Sequence, residues 1–223
     1  MAQIAIDGPS GAGKSTLSRR VAQSLQYIYI DTGAMYRAAG LKAHRQGIDI
    51  RNDKKAVEEM LPRLSVTLGY REDGQTVLLD GEDVTGLIRT PEVSIAASDI
   101  SAIPAVRHKM VELQRQLAAS QDIVMDGRDI GTVVLPDAQV KIFLTASVEE
   151  RARRRYEELK EKGSDVTLDE VTKDIRYRDQ NDESREMAPL KPAKDAVIVD
   201  TTGFGLEKSQ EVLLKIIREK LNM

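Results

Sequence analysis

The stretch Gly8-Pro9-Ser10-Gly11-Ala12-Gly13-Lys14-Ser15 decides how the fold of this chain is interpreted. It matches the phosphate-binding loop pattern G-x-x-x-x-G-K-[ST] at every fixed position. An apolar run at residues 4–6 precedes it, and Leu17, Val21 and Leu25 then fall on one helix face. The order strand, tight loop, helix is the context that the motif requires, and it disfavours the alternative of a glycine-rich turn without function.

The loop residues have the chemistry to hold a polyphosphate. Glycines let backbone N–H groups turn toward the phosphates, and the N-terminus of the following helix adds a positive dipole end. Lys14 can reach the β- and γ-phosphates, and the Ser15 hydroxyl can bind Mg²⁺. This segment is therefore the first candidate for a binding site.

The composition disfavours several classes of protein. The 223 residues are 41% hydrophobic but only 4% aromatic, so the core must be aliphatic. A net charge of −3 argues against a general nucleic-acid binder, and the absence of Cys excludes disulfides and thiolate metal sites. The first residues show no charged n-region followed by an apolar h-region, so we expect no leader peptide. No apolar stretch approaches the roughly 18–20 residues that span a bilayer. We expect a cytoplasmic monomer without nucleic-acid or membrane partners.

Five short apolar runs predict the strands of a parallel sheet. They cover residues 3–7, 27–31, 123–126, 140–145 and 196–200. Runs 123–125 and 197–199 show almost no alternation, as in strands that are covered on both faces. Helical patterns separate the runs, so the sequence predicts a three-layer α/β fold with its functional loops at the carboxyl ends of the strands. Four of the five runs end near an aspartate: Asp7, Asp31, Asp126 and Asp200.

One segment interrupts the alternation of strands and helices. Residues 64–85 show a period of two, with turns predicted at 71–75 and at Asp80-Gly81, which indicates a small antiparallel β insert. Because no long linker is present, we expect lobes of one unit. The expected parts are a core of about 1–35, 119–148 and 186–223, a lobe with the β insert of about 36–118, and a lid of about 149–185.

Two further motifs follow predicted strands. After the second strand, Thr32 can begin a helix whose free N–H groups face a phosphate, with Arg37 close by. After the third, Asp126 resembles a Walker-B carboxylate for Mg²⁺, and Arg128 can make a bidentate contact with phosphate. Asp129 can accept a hydrogen bond from an exocyclic amine such as N4 of cytosine. An ordinary helix cap and a tight turn with an internal ion pair remain the alternatives.

Two charged segments lie near the C-terminal half of the chain. Residues 148–159 carry four arginines within five positions, which leaves some without an acidic partner four residues away. Such a surplus suits a lid over transferring phosphates, although a solvated helix face is the alternative. A helix is predicted for about 168–184, with Thr167 and Glu170 as its capping box. Arg178, Asp182 and Arg185 are spaced i, i+4, i+7 along it, and we expect them on one face. They form either a series of ion pairs within the protein or a charged surface that faces a substrate.

Together these motifs resemble those of the bacterial cytidylate kinases, in the nucleoside-monophosphate kinase group. The resemblance covers nearly the whole chain and rests on residues 7–16, 31–37 and 126–138, with Arg178-Asp179 and Arg185. The β insert is similar to the enlarged nucleotide-binding insert of that family, which adenylate kinases lack. The resemblance implies a P-loop kinase of pyrimidine nucleotide metabolism that uses ATP and Mg²⁺ to convert CMP and dCMP into CDP and dCDP.

The resemblance also implies a role for each site residue. ATP and its Mg²⁺ would be held by Gly8, Pro9, Ser10, Gly11, Ala12, Gly13, Lys14, Ser15 and Thr16, with Ser15 and Asp126 at the metal. The acceptor phosphate would be bound by Thr32, Arg37, Arg128 and Arg185. Cytosine would be recognised by Ser98, Arg107 and Asp129, and the pentose by Arg178 and Asp182. Phosphoryl transfer would depend on Lys14, Arg128 and Arg185, with Arg151 and Arg154 from the lid.

Other functions share single features with this chain. A GTP-dependent switch has the same phosphate loop but needs an N-K-x-D motif, which the sequence lacks. An RNA-binding role for the arginine-rich segment conflicts with the acidic balance and with the lack of interleaved aromatics. Within the kinases, a uridylate or adenylate kinase of the same fold is the remaining alternative.

Overall fold

The computed structural model describes residues 1–71 and 74–223, which form two compact units. Unit 1 comprises Met1–Ile30 and Ala118–Met223, and unit 2 comprises Asp31–Leu117. No helix in the described ranges combines the length and the apolar character that crossing a membrane requires.

A five-stranded sheet forms the centre of unit 1. Its strands are β1 (Gln3–Asp7), β2 (Ile28–Asp31), β6 (Ile123–Gly127), β7 (Val140–Thr145) and β8 (Val197–Asp200), in the order β2-β6-β1-β7-β8. Strand β1 pairs in parallel with β6 and β7, and β7 pairs in parallel with β8. The predicted α/β class with a five-stranded parallel sheet is confirmed.

Two helices of unit 1, α1 (Lys14–Leu25) and α8 (Leu206–Leu221), cover apolar side chains of this sheet. The other two, α6 (Val148–Glu161) and α7 (Leu168–Glu183), pack against each other in a separate apolar cluster. Leu17 of α1 and Leu213 of α8 pack in one aliphatic cluster with Ile4, Ile142 and Leu144 of the strands. Helix α7 begins with the predicted capping box of Thr167 and Glu170. Burial of all residues of β6 explains why run 123–125 lacks alternation. For run 197–199 the expectation of cover on both faces is wrong, because β8 is an edge strand and its Ile198 is 62% exposed.

Helix α7 ends at Glu183, and this corrects one expectation about the charged residues near its end. Arg178 and Asp182 lie within the helix, but Arg185 follows the C-cap residue Ser184. The spacing i, i+4, i+7 therefore does not place all three on one helix face. The chain bends where the helix stops, and Arg185 reaches Asp182 from outside the helix.

Unit 2 combines helices with the predicted β insert. Its helices are α2 (Thr32–Arg45), α3 (Lys54–Met60), α4 (Pro91–Ile100) and most of α5 (Pro104–Ala118). The insert is an antiparallel sheet of β3 (Val66–Arg71), β4 (Gly74–Leu79) and β5 (Glu82–Asp83). Part of the turn predicted at 71–75, namely residues 72 and 73, lies outside the described residues. Gly40 allows α2 and α4 to approach closely, because a Cβ there would lie 3.0 Å from the Ala97 nitrogen.

Candidate active site

The phosphate loop of unit 1 leaves strand β1 through a glycine that no other residue can replace without displacement of the backbone. Gly8 has φ +151°, and a Cβ at this position would lie 1.9 Å from the carbonyl oxygen of Leu144 in β7. Gly13, with φ +85°, then caps helix α1 in the left-handed conformation. The loop is therefore set tightly against the carboxyl ends of the strands, as the motif requires.

Lys14 is buried at the first position of α1, and its Nζ donates to the carbonyl oxygen of Pro9 at 2.7 Å. Burial lowers the pKa of Lys14 well below its ordinary value, and the nearby charge of Arg128 lowers it further, against the opposite influence of Asp126 and Asp182. A bound polyphosphate would add negative charge beside the amine and favour its protonated form. The position therefore favours an anionic ligand.

The two predicted metal ligands lie next to each other. The Ser15 hydroxyl donates to Oδ2 of Asp126 at 3.1 Å. Within residues 1–71 and 74–223, no group of three or more His, Cys, Asp and Glu side chains could hold a metal by itself. One carboxylate and one hydroxyl nevertheless suit Mg²⁺ in a kinase, because this ion takes much of its coordination from substrate phosphates and water.

The opposite oxygen of the Asp126 carboxylate has a partner that the sequence analysis did not identify. The Tyr29 hydroxyl donates to Oδ1 of Asp126 at 2.8 Å. Ser15, Tyr29 and Asp126 all lie in unit 1. Nothing in the sequence pattern distinguishes Tyr29 from an ordinary strand residue. Only the pairing of β2 with β6 brings it to Asp126.

Asp182 joins two of the predicted phosphate-binding arginines. Arg128 Nε donates to Oδ2 of Asp182 at 2.7 Å, and Arg185 Nη2 donates to Oδ1. Burial alone would raise the pKa of Asp182, but the charges of Arg128 and Arg185 outweigh this effect and hold it below its usual range. The Arg185 Nε is buried and has no hydrogen-bond partner among the described residues. One carboxylate thus holds two guanidinium groups that together carry an excess of positive charge.

Asp7 fixes the segment that carries Arg128 and Asp129. Its carboxylate accepts hydrogen bonds of 2.8 Å from the backbone N–H groups of both Ile130 and Gly131, at the start of a π-helical turn, Ile130–Val134. Burial raises the pKa of Asp7 to about 7, although these two donors act in the opposite direction. Asp129 is itself buried directly before this turn. The sequence placed Asp7 at a strand end but did not indicate these contacts.

Each of the four arginines of α6 has an acidic partner, but only Arg153 and Arg154 have one four residues away, so the expectation that some lack such a partner is confirmed. Arg153 contacts Glu150 and Glu157, Arg154 contacts Glu150, and Arg155 contacts Glu158. Arg151 has no such partner on its own helix but forms an ion pair of 2.7 Å with Asp179 of α7. Spacing within one helix cannot reveal a partner that another helix supplies.

Arg151 and Arg154, the two arginines of α6 that were expected to act from the lid, also contact the backbone of loops. Arg151 is buried and donates to the carbonyl oxygen of Ser10 in the phosphate loop at 2.8 Å. Arg154 donates to the carbonyl oxygens of Thr201 at 2.7 Å and Phe204 at 3.3 Å, in the loop after β8. Arg151 therefore supports the phosphate loop, whereas the less buried Arg154 lies beside it.

In unit 2, Asp31 organises the beginning of α2. Its Oδ1 accepts from the Ala34 N–H at 2.8 Å, while its Oδ2 contacts Arg37 at 2.9 Å and Arg89 at 3.4 Å. Thr32 is buried at the first helical position. Asp31 therefore fixes Arg37 near a helix N-terminus, and the presence of Arg89 in this group was not predicted.

The three residues expected to recognise cytosine belong to different units. Ser98 of α4 and Arg107 of α5 lie in unit 2, and Asp129 lies in unit 1. Ser98 and Arg107 are both buried. The Arg107 guanidinium donates to the Ser101 carbonyl oxygen at 3.4 Å and lies 5.8 Å from the centre of the Tyr36 ring. An arginine that is this deeply buried is fixed in position, as a side chain that recognises a base must be.

Comparison with known proteins gives a consistent result. A family model described as cytidylate kinase matches residues 4–219. The cytidylate kinase of Caldicellulosiruptor bescii is 52% identical over 96% of this chain and 93% of its own length. The cytidylate kinase of Carboxydothermus hydrogenoformans is 48% identical over 98% of each chain. A solved structure of an uncharacterized protein from Eubacterium ventriosum has a TM-score of 0.54 at 10% identity, over 97% of this chain and 98% of that one, and shows a shared fold alone. The chain therefore belongs to the cytidylate kinase family, whose members are nucleoside-monophosphate kinases.

Proposed function

We propose that this protein transfers the γ-phosphoryl group of ATP to CMP and dCMP, with Mg²⁺, and forms CDP and dCDP. The observation that carries the proposal is the arrangement in unit 1. Lys14 and Ser15 begin α1, Asp126 and Arg128 lie at the carboxyl end of β6, and Asp182 and Arg185 lie at the C-terminal end of α7. Ser15 contacts Asp126, and Asp182 contacts both Arg128 and Arg185. These groups supply the charge that phosphoryl transfer needs. Membership of the cytidylate kinase family supports the choice of acceptor and does not favour the uridylate or adenylate kinase alternative.

The donor site consists of the phosphate loop, residues 8–16. Its backbone N–H groups and the N-terminus of α1 bind the phosphates of ATP, and Lys14 contacts the β- and γ-phosphates. Ser15 and Asp126 hold Mg²⁺, which when bound neutralises charge on the phosphate oxygens. Arg151 keeps the loop in place through the Ser10 carbonyl, and Arg154 adds positive charge near ATP.

The acceptor phosphate binds guanidinium groups. Arg128 and Arg185, both held by Asp182, serve this role, as does Arg37 with the Thr32 end of α2. The acceptor oxygen of a nucleoside monophosphate is already anionic. The reaction therefore needs no strong general base, and catalysis consists of positioning and charge stabilisation.

Recognition of the nucleoside follows from hydrogen-bond chemistry. Asp129 accepts from the N4 amine of cytosine and repels the carbonyl that uracil has in its place. Ser98 and Arg107 complete the recognition of the base, and Arg178 with Asp182 contacts the pentose. We further propose that residues 149–185 act as a lid, that the protein is a cytoplasmic monomer, and that its reaction serves pyrimidine nucleotide metabolism.

A coupled assay of ADP formation over four acceptors tests this function. With Mg-ATP as donor, we expect the highest kcat/KM for CMP and dCMP and a much lower value for UMP and AMP. Omission of Mg²⁺ in the presence of a chelator is the control for the metal. A preference for UMP or AMP would overturn the proposal.

A further inference from the structure

Asp126 is fixed from two sides, and only one of them belongs to the phosphate loop. Its Oδ2 accepts the hydrogen bond from Ser15, and its Oδ1 accepts the hydrogen bond of 2.8 Å from the Tyr29 hydroxyl. Tyr29 and Asp126 are both buried. A buried carboxylate oxygen that loses its hydrogen-bond donor is disfavoured, so the phenol restricts rotation of the Asp126 carboxylate and holds its other oxygen toward Ser15.

The position of Tyr29 is in turn linked to the helix that carries Ser15. The Arg19 guanidinium lies 5.8 Å from the centre of the Tyr29 ring, and Arg19 is one helical turn after Ser15 in α1. A cation near the ring attracts its electrons and makes the phenol a stronger hydrogen-bond donor. Ser15, Asp126, Tyr29 and Arg19 thus form a series of contacts that starts and ends on helix α1.

From this geometry we propose that Tyr29 is a positioning residue for the metal site. Its hydroxyl holds Oδ1 of Asp126, so that Oδ2 and the Ser15 hydroxyl present a preformed pair of oxygens to Mg²⁺. The inference rests on the proposed function in one respect, that Mg²⁺ binds at Ser15 and Asp126 together with ATP. Partners that orient a metal ligand from behind commonly change metal affinity by about 10–100-fold when they are removed.

The test is a calorimetric measurement of ATP affinity with and without Mg²⁺, which needs no catalytic turnover. In Tyr29→Phe we expect the strengthening of ATP binding by Mg²⁺ to fall by about 10-fold relative to the unmodified protein, while binding of metal-free ATP changes little. Tyr27→Phe is the matched control, because Tyr27 lies on the same segment just before β2 and should leave both affinities unchanged.

Three outcomes distinguish a wrong metal assignment in the proposed function from a wrong role for Tyr29. If Mg²⁺ does not strengthen ATP binding in the unmodified protein, the metal assignment in the proposed function is wrong and the role of Tyr29 with it. If Mg²⁺ acts normally and Tyr29→Phe retains the whole effect, only the role of Tyr29 is overturned. An equal loss with and without metal would also overturn it, because that loss would reflect packing alone.

A double-mutant cycle shows whether Tyr29 acts through Asp126. In an Asp126→Asn background, Tyr29→Phe should cause no further loss of the Mg²⁺ effect, whereas additive losses would contradict the proposal. If Tyr29→Phe does not fold, ¹³C NMR of the tyrosine Cζ atoms in the unmodified protein gives the answer. Addition of Mg²⁺ to the ATP complex should then shift the Tyr29 signal and leave the Tyr27 signal in place, and an unmoved Tyr29 signal would refute the role.

Discussion

Lys14 combines a positive charge with burial in a single side chain. Its ammonium group is taken out of water, donates to a backbone carbonyl, and is held where burial and Arg128 disfavour its charge. Such a group is costly to the free protein, and Asp126 and Asp182 offset this cost only in part. This environment supports the proposal that Lys14 binds the phosphates of ATP.

Replacement of Lys14 by Met tests this role. We expect Lys14→Met to fold and to lose turnover by about 100-fold or more, because a cation that stabilises the transferring phosphoryl group is removed. Steady-state kinetics with a thermal melt of the same sample measures both effects. Lys55→Met is the control, since Lys55 is highly exposed on α3 and should keep the original rate. A variant of Lys14 with an unchanged rate would contradict the role.

Replacement of Asp129 by Ala tests recognition of the base. We expect kcat/KM for CMP to fall by about 100-fold or more while KM for ATP changes little, because a site built to pair a polar group depends on that pairing. The corresponding change at the exposed Asp165 is the control. Equal losses for CMP and ATP would show that Asp129 supports the structure rather than the recognition of cytosine.

Among the secondary-structure elements, the junction of β1 with the phosphate loop is the most constrained. A Cβ at Gly8 would lie 1.9 Å from the backbone of β7, whereas nothing lies within 4 Å of a Cβ at Gly203. Both glycines have a positive φ, so a substitution at either is strained. Only Gly8 adds a clash with another strand.

We expect Gly8→Ala to lower the free energy of unfolding by at least about 3 kcal/mol, since the strand or the loop must move. Gly203→Ala should cost only about 1–2 kcal/mol, the strain of its left-handed conformation. Chemical denaturation of both variants measures the difference. Similar losses in the two would show that the strands adapt and that the close approach is unimportant.

The strands and helices could be predicted because each leaves a local pattern. Apolar runs predicted all five strands of the parallel sheet to within one residue at each end, and Thr167 with Glu170 identified the start of α7. Contacts between distant segments leave no such pattern. Tyr29 meets Asp126, and Arg151 meets Asp179, only after the strands have paired and the helices have packed. The sequence therefore predicted which residues carry charge at the strand ends, but not which partner holds each of them.

For the chain as a whole, Asp7 links global stability to pH. Burial raises its pKa from 3.8 in the unfolded chain to about 7 in the folded protein. Between these values the folded chain holds a proton that the unfolded chain has released. The stabilisation is therefore complete below about pH 4 and is lost as the pH rises to about 7, by about 1.4 kcal/mol for each pH unit.

Urea unfolding of the original protein and of Asp7→Asn, from about pH 4 to about pH 8, tests this dependence. We expect the difference in unfolding free energy between the two proteins to decrease as the pH rises and to level off above about pH 7. In this difference, the contributions of all titratable groups that the two proteins share cancel. A difference that stays constant with pH would show that Asp7 titrates at its ordinary value when folded.

The central place of β1 in its sheet has a consequence for biosynthesis. Both neighbours of this strand, β6 and β7, begin more than a hundred residues later, at Ile123 and Val140. A nascent chain leaving the ribosome must therefore keep its apolar first strand unpaired until translation has passed Gly127, and one edge of it unpaired until translation has passed Thr145. The residues of unit 2 are contiguous and have all been synthesised by then. Sheet formation is thus a late, long-range step, which leaves the first strand open to aggregation during synthesis.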